Sequence, residues 1–324
     1  MEEDDLIDIP FDVWPEEHNR RVDLFLSRRI KRMSRSKAAG LVKMGVVSKR
    51  GEGPIDRPST KVHHGDRILL KRKKLEEPPT DDVVLPVVFE DDDILAIHKP
   101  GDLVVHPTAS AYARTLIRIL RARRNDDFLD LAHRLDKETS GLILLSKNAV
   151  ADAFLKDEFA GRRVQKTYWA FVVGVPEWET LTVDAPMRLD LSTPSGVRMV
   201  IGGPDALPSI TDLRVLARGP AHALIEASPH TGRQHQIRLH LLHAGFPIVG
   251  DKLYLGGDEV FLYAINDRPG EAELTELVGH YRHALHAQAS RFRHPRTKAP
   301  MRLSADLAPD LVALAARLGI TILG

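Results

Sequence analysis

The chain lacks cysteine, long apolar runs and a pronounced net charge, and each absence excludes a class of protein. There is no cysteine among 324 residues, which excludes disulfides and thiolate metal ligands. No apolar run approaches the roughly 18 residues that span a bilayer. The four acidic residues after Met1 are unlike a signal peptide. With 28% charged and 43% hydrophobic residues, we expect a cytoplasmic globular protein with one main domain and one smaller domain.

The net charge of only +1 conceals an uneven distribution of charge along the chain. Residues 1–19 contain eight acidic residues and no Lys or Arg, and we expect a disordered or loosely docked acidic arm there. Residues 20–75 contain 18 Lys and Arg against four acidic residues, a concentration typical of surfaces that bind phosphate groups. A solvated surface is the alternative, although such surfaces usually mix the two signs.

The basic segment, residues 20–75, has the pattern of a small α/β domain. It predicts a helix over residues 22–30, a second helix capped by Ser34, and short strands near residues 46–47, 60–62 and 67–70. A linker with two adjacent prolines follows at residues 76–86, and residues 87–324 form the second domain. The basic side chains that we expect to contact phosphates are Arg28, Arg32, Arg35, Lys37 and Lys43.

The most informative stretch is residues 133–148, where His-Arg-Leu-Asp is followed by Lys-Glu, Thr-Ser-Gly and an apolar run. The apolar run predicts a buried strand, so Asp136 would lie in a turn at the mouth of that strand. A carboxylate held there by a rigid scaffold can take part in catalysis. The turn alone is equally consistent with an Asp136 that only closes it, with help from Thr139 and Ser140.

The segments around this stretch predict a mixed domain. Strands are expected at residues 83–90, 94–98 and 166–173, and residues 180–227 predict further β-structure. Helices are expected at residues 115–124, after Asn148 as N-cap, at 271–283 and at 307–318. Alternation places Trp169 and Phe171 on the core face of their strand and leaves Tyr168 where a flat base could stack. An ordinary buried tyrosine is the alternative.

Residues 231–247 predict a helix that begins with a capping box at Thr231 and ends at Gly245. On this helix Arg238 shares a face with two leucines. An arginine on a partly apolar face needs an anion, because burying the charge unpaired is unfavourable. We expect Asp136 to be that anion.

Rival constellations are weaker. His235, His240 and His243 are spaced five and three apart, which places all three poorly on one helical face for a metal. Ser140 lacks the Gly-x-Ser-x-Gly elbow of a hydrolase nucleophile. Neither a Walker loop nor a Gly-x-Gly-x-x-Gly motif is present, so nothing supports a nucleotide cofactor.

The stretch His-Arg-Leu-Asp, then Thr-Ser-Gly-Leu, resembles the signature of the RluA/RluD family of RNA pseudouridine synthases. Further matches are Asp-Asp-Ile-Leu-Ala-Ile-His-Lys-Pro at residues 92–100, Lys-x-Tyr at 166–168, Thr-Gly-Arg-x-His-Gln-Ile-Arg at 231–238 and Gly-x-Pro-Ile-x-Gly-Asp at 245–251. The basic segment resembles the RNA-binding module of ribosomal small-subunit protein S four, although its turn at residues 48–53 differs. Residues 255–283 run longer than the family pattern.

The resemblance implies an α+β pseudouridine synthase fold, with a mixed, largely antiparallel sheet, flanking helices and a central cleft, plus the small N-terminal α/β RNA-binding domain. Asp136 would be the catalytic aspartate, acting on a uridine flipped out of its stack. Arg238 would pair with Asp136, and Tyr168 would stack on the base or serve as a late general base. The other side chains expected to contact RNA are Arg134, Arg233, His106 and Lys99.

Conversion of uridine to pseudouridine gains and loses no atom, so it requires no cofactor and no metal. We expect large-subunit (23S) ribosomal RNA as the partner, with transfer RNA as an alternative, and a monomeric protein without a membrane partner. A non-catalytic RNA-binding or ribosome-assembly protein is the alternative from another class. The intact set of Asp136, Tyr168 and Arg238 disfavours it.

Overall fold

The structure, a computed structural model, describes residues 6–13, 17–30, 33–73, 79–107, 114–126 and 128–322. The chain divides into two compact units, Met1–Glu76 and Glu77–Gly324. No helix within those described ranges is long and apolar enough to cross a membrane.

The first unit packs two helices against a small antiparallel sheet. Its elements are β1 (Leu6–Asp12), β2 (Arg20–Arg21), α1 (Val22–Arg29), α2 (Arg35–Lys43), β3 (Val47–Lys49), β4 (Gly53–Pro54), β5 (Lys61–Val62) and β6 (Arg67–Lys73). The main sheet has the order β1-β6-β3-β4, and β2 pairs with β5. Both predicted helices are confirmed, and the Ser34 side chain caps α2 by accepting a hydrogen bond from the Lys37 N–H.

The expectation of a loose acidic arm is wrong for residues 6–12. They form β1, which pairs with β6 along its whole length, from Leu6 opposite Lys73 to Asp12 opposite Arg67. Alternating apolar residues give this segment the period of a half-buried strand. Its acidic residues meet the basic strand β6, and Arg67 binds Asp12 through two hydrogen bonds. Charge complementarity between the two strands outweighs the acidic composition on which the expectation rested.

Four of the five predicted phosphate contacts of this unit, Arg28, Arg35, Lys37 and Lys43, have exposed side chains. Arg35 is also tied to the buried Asp23, with Nε 3.2 Å from Oδ2. The fifth candidate, Arg32, lies outside the described residues, as does part of the predicted linker.

The second unit is built on a ten-stranded sheet. The strands of the whole unit, ten of them in this sheet, are β7 (Val87–Glu90), β8 (Ile94–Lys99), β9 (Asp130–Leu131), β10 (Ser140–Ser146), β11 (Gln165–Val173), β12 (Thr180–Asp184), β13 (Met187–Leu189), β14 (Met199–Ile201), β15 (Ile210–Arg218), β16 (His222–Pro229), β17 (Leu285–Arg293) and β18 (Pro300–Ser304). Its helices are α3 (Leu116–Arg124), α4 (Ala149–Ala160), α5 (Gln236–His243), α6 (Gly257–Asn266), α7 (Glu271–Val278) and α8 (Pro309–Arg317).

This large sheet is mixed and largely antiparallel, as expected. Its order is β12-β15-β16-β11-β17-β10-β8-β7, with β18 beside β17 and β9 beside β10, while β13 and β14 form a separate hairpin. Within the described part of the chain, its strands pair antiparallel except for β10 with β17.

Strand β10 lies at the centre of the core, and all seven of its residues are buried. Its apolar run faces α3 on one side of the sheet and α4 on the other, which is why it contains no polar alternation. Gly141 lies in the left-handed region, and an added Cβ would meet the Ala287 backbone oxygen at 2.3 Å. Glycine is therefore required for β10 to approach β17 so closely. The predicted cap at Asn148 is confirmed by a 2.9 Å bond from the Ala151 N–H.

Three element predictions need correction. The first strand of this unit spans only Val87–Glu90, since residues 83–86 form no strand. Strand β11 is central, so both of its faces are covered, and Ala170 and Val172 are as fully buried as Phe171. The long segment at residues 255–283 contains two helices, α6 and α7, and α7 ends at Val278 because Gly279 adopts a left-handed conformation.

Candidate active site

Asp136 lies in the turn that leads into β10, as the sequence predicts. The Thr139 N–H donates to the Asp136 carbonyl at 3.2 Å, which closes the turn. The Asp136 side chain is 34% exposed. A carboxylate on the rim of the central strand is therefore both fixed in position and open to a substrate.

The expected contact between Asp136 and the arginine of α5 is present. Arg238 Nη1 donates to Asp136 Oδ2 at 3.2 Å, across 102 residues of sequence. The sequence analysis missed a second carboxylate that holds the same guanidinium more tightly. Asp251 accepts from Arg238 Nε at 2.6 Å and from Nη2 at 2.8 Å, and it is fully buried. Arg238 therefore forms a bidentate pair with Asp251 and presents its remaining nitrogen to Asp136.

The charges of this buried pair support each other. Burial raises the pKa of Asp251, but the adjacent guanidinium of Arg238 and a backbone N–H outweigh burial and hold the pKa below its usual value. Burial lowers the pKa of Arg238, but the carboxylates of Asp251 and Asp136 raise it by more, so the pKa lies above its usual value. Both groups therefore remain charged in the folded protein.

Lys99, expected to contact RNA, lies in the interior of the protein. Its side chain is fully buried, and Nζ donates to the carbonyls of Pro100, Leu103 and Lys137 at 2.8, 2.9 and 2.9 Å. Burial lowers its pKa to about 7. Lys99 therefore connects the loop after β8 to the Asp136 turn by hydrogen bonds inside the protein. Because its ammonium group is buried, it is out of reach of a phosphate.

Further buried side chains from residues 251–283 hold the same turn. Arg282 is 1% exposed, and it donates to the Glu138 carbonyl at 2.8 Å and to Ser140 Oγ at 3.1 Å. Lys252 Nζ donates to Glu138 Oε1 at 2.7 Å, and the His283 N–H donates to Oε2 at 2.9 Å. Cations and N–H groups from distant segments thus satisfy the acceptors of the turn on its buried side.

Two tyrosines flank the ion pair. Tyr168, half-buried on β11, is close enough to Asp136 that the carboxylate adds to the effect of burial in raising its pKa far above the usual value. Tyr254 is buried, with its ring 5.1 Å from the Arg238 guanidinium, and its hydroxyl lies 3.1 Å from His235 Nδ1. The structure therefore brings Asp136, Arg238 and Tyr168 together and adds Tyr254 as a platform beneath the guanidinium.

The other predicted RNA contacts lie at the surface. Arg134 and His106 are exposed, and Arg233 is half-buried at the loop that precedes α5. That loop differs from the expected capping box. Helix α5 begins at Gln236, behind His235 in a left-handed conformation, and the Thr231 hydroxyl donates to Gln236 Oε1 at 2.6 Å.

Of the three histidines considered as metal ligands, His240 is buried and both of its ring nitrogens have protein partners. The ring nitrogens of His240 lie 2.9 Å from Thr211 Oγ1 and 3.0 Å from the Ala185 carbonyl. Among the described residues, one other group could supply metal ligands, namely Asp91, Asp93 and His294. Arg296 already binds Asp93 through two hydrogen bonds, and His294 lies 2.7 Å from Asp91, so each member of this group already has a protein partner.

Residues 251–283 contribute most of the site residues that the sequence analysis missed. Asp251 is the last residue of the matched Gly-x-Pro-Ile-x-Gly-Asp pattern and could have been assigned from it, since a buried arginine with five N–H donors calls for more than one acceptor. Arg282 gave no such signal, because its partners on the Asp136 turn lie more than 140 residues away.

Known proteins resemble this chain in both sequence and fold. A family model described as RNA pseudouridylate synthase matches residues 93–243. The chain is 34% identical to a ribosomal large subunit pseudouridine synthase D of Xanthomonas campestris pv. campestris, covering 91% of this chain and 88% of that protein. It is also 34% identical to a ribosomal large subunit pseudouridine synthase C of Haemophilus ducreyi, covering 95% of each.

Among solved structures, human RNA pseudouridylate synthase domain containing 1 superposes with a TM-score of 0.58 at 27% identity, covering 77% of this chain and 93% of that one. The chain belongs to the RNA pseudouridine synthase family. It is an isomerase that acts on RNA and has the α+β pseudouridine synthase fold.

Proposed function

We propose that this enzyme isomerises uridine to pseudouridine in large-subunit ribosomal RNA, with Asp136 as the catalytic residue. The printed names of the two bacterial relatives support the choice of RNA. The observation that carries the assignment of Asp136 is its position: a carboxylate on a rigid turn, open to solvent and bound by a buried guanidinium at 3.2 Å.

The reaction breaks the bond between the sugar and N1 of uracil, rotates the base and rejoins the sugar to carbon five. Asp136 acts at the sugar–base junction, either by attack on the sugar or by abstraction of a sugar proton. The Arg238 guanidinium fixes the orientation of the Asp136 carboxylate through a charge-assisted hydrogen bond. The proton on carbon five leaves after the new bond has formed, and N1, released from the sugar, takes up a proton, so the composition of the product equals that of the substrate.

Tyr168 is proposed to support the base during its rotation. Its half-buried ring packs against the cluster that contains Leu135, the residue before Asp136, and a flat base that reaches Asp136 can stack on it at a gain of about 1–3 kcal/mol. The raised pKa keeps the phenol protonated at neutral pH. Tyr168 can therefore take the proton from carbon five only if its own proton leaves, and stacking is the role that the site supports better.

The target uridine must leave its stack to reach Asp136, at a cost of roughly a few kcal/mol. Arg134, exposed two residues before Asp136, is a candidate to contact the displaced strand. The basic N-terminal unit is proposed as an RNA-binding domain that holds the substrate through phosphate contacts, which position RNA without reading its sequence.

The test is release of tritium from RNA labelled at carbon five of uridine. We expect the wild-type protein to release tritium from large-subunit ribosomal RNA and Asp136→Ala to release none. Asp136→Asn should abolish turnover and keep RNA affinity within about tenfold of wild type, because phosphate contacts supply the binding energy.

The alternatives are separate outcomes of the same assay. Release from transfer RNA alone would reassign the substrate. No release from either RNA, with binding intact, would make the protein an RNA-binding or ribosome-assembly factor. A collapse of binding in Asp136→Asn would contradict the division between catalytic and binding residues.

A further inference from the structure

Among the described residues, Lys166 and Arg233 have no carboxylate partner, and neither has the three carbonyl acceptors that satisfy the buried Lys99. Arg238, Lys252 and Arg282 each bind a carboxylate. Lys166, half-buried on β11, has only one long hydrogen bond among the described residues, 3.4 Å from Nζ to the Thr231 carbonyl. Burial lowers the pKa of Lys166, and no nearby carboxylate offsets this effect.

Arg233 repeats this pattern on the adjoining loop. It is half-buried, its Nε is buried without a hydrogen-bond partner, and no ion pair of its side chain occurs within the described part of the chain. Gly232, which directly precedes Arg233 in the chain, is exposed, and a Cβ added to it would lie 3.6 Å from Lys166 Nζ. The missing side chain leaves the backbone open to a ligand that approaches both cations.

Lys166 lies close to Tyr168, the residue proposed to stack on the target base. Lys166 and Tyr168 are two residues apart on β11, so they project from the same face about 7 Å apart. The register irregularity beside them arises from the extra residue Gln288 on β17, which leaves the alternation of β11 itself intact. A group bound by Lys166 therefore lies within one nucleotide of a base stacked on Tyr168.

We propose that Lys166 and Arg233, beside Gly232, form a seat for one phosphodiester of the RNA next to the target uridine. Desolvated cations without a protein anion are unfavourable and gain most from an anionic ligand. A phosphate accepts hydrogen bonds from an ammonium and a guanidinium at once. The seat specifies a site within the substrate of the proposed function and rests on that function for its RNA ligand.

The test measures binding of a 20-nucleotide oligouridylate as a function of salt concentration. For single strands the slope of log K against log salt is about −0.7 per neutralised phosphate. The double variant Lys166→Gln, Arg233→Gln should have a slope shallower by about 0.7 and bind roughly tenfold more weakly at low salt. Two separate phosphates would change the slope by about 1.4, and an unchanged slope would overturn the seat altogether.

A matched control is Lys156→Gln, which removes the same charge from an exposed lysine already bound by Asp130 and Asp152. Its slope should equal that of wild type. Lys166→Arg should keep the wild-type slope, because it retains the charge. If Lys166→Gln does not fold, Arg233→Gln alone, in the loop, should weaken binding with an unchanged melting temperature. Wild-type affinity in that variant would overturn the proposal.

Failure of the seat and failure of the proposed function are distinguishable, because binding is measured without catalysis. Tritium release by wild type together with an unchanged slope in the double variant would reject the seat and leave the function in place. No tritium release together with the shallower slope would reject the function and retain an RNA phosphate site.

Discussion

Substitution of Asp251 by Asn should destabilise the catalytic unit more than any isosteric change at the surface. Asp251 Oδ1 accepts from the N–H groups of Leu253 and Tyr254 at 3.0 Å each and from Arg238 Nη2 at 2.8 Å, while Oδ2 accepts from Arg238 Nε at 2.6 Å. The Asn carbonyl must take the place of Oδ1 to keep the backbone contacts. The Asn NH₂ group then faces Arg238 Nε, a donor against a donor.

The magnitude follows from the burial of this pair. Asp251 is fully buried and the Arg238 side chain is 8% exposed. Loss of the Asp251 charge therefore leaves the buried guanidinium of Arg238 with Asp136 as its remaining carboxylate partner. Breaking such a pair costs about 3–5 kcal/mol. Since 1 kcal/mol shifts the melting temperature of a unit of this size by about 2–4 °C, the expected decrease is roughly 6–20 °C.

The assay is thermal unfolding at pH 7, followed by urea denaturation to obtain the free energy of unfolding. The control is Asp212→Asn, whose half-exposed side chain should contribute less than about 1 kcal/mol. The double variant Asp251→Asn, Arg238→Met should be no less stable than Asp251→Asn, because it removes the unpaired charge. A melting temperature within about 2 °C of wild type for Asp251→Asn would refute the reasoning.

Two further predictions concern pH and backbone geometry. Hydrogen bonds from Arg293 lower the pKa of the buried Glu158 to about 2, so this carboxylate stabilises the fold above about pH 4.5 and loses that contribution as the pH falls towards 2. In urea titrations Glu158→Gln should therefore be less stable than wild type by about 3 kcal/mol at pH 7, with a gap that closes in acid; a gap independent of pH would contradict this. Gly141→Ala should yield mostly insoluble protein, since its Cβ would meet the Ala287 oxygen, whereas Gly45→Ala, at positive φ in open space, should cost only about 1 kcal/mol by thermal unfolding; equal stability of the two variants would be inconsistent with the clash.

The sequence was sufficient to predict the elements whose signals are local. The apolar run before Ser146 and the caps at Ser34 and Asn148 appear as predicted. Each depends on contacts within a few residues, so pattern alone determines them. The contact of Arg238 with Asp136 was predictable for another reason, since an arginine beside leucines requires an anion.

The features that the sequence analysis missed depend on pairings between distant segments. Composition suggested an arm at residues 6–12, but the basic strand β6 pairs with this segment more than 50 residues away. Lys99 was expected to contact RNA because no local sequence signal indicates that its ammonium group binds three backbone carbonyls, one of them in the Asp136 turn. Helix α5 begins five residues after Thr231. The Thr231 hydroxyl binds the Gln236 side chain, which also donates to the Ile210 carbonyl on the neighbouring strand β15.

The geometry of the Asp136 turn therefore depends on buried residues that lie outside the turn. Lys99 and Arg282 hold the turn through its backbone carbonyls, at Lys137 and Glu138, and a carbonyl is present whatever side chain the turn carries. Changes within the turn can leave these contacts intact, whereas the loss of either cation frees the acceptors on which the position of Asp136 depends. Because Arg282 also binds Asp310 on α8, that helix contributes to the position of the Asp136 carboxylate.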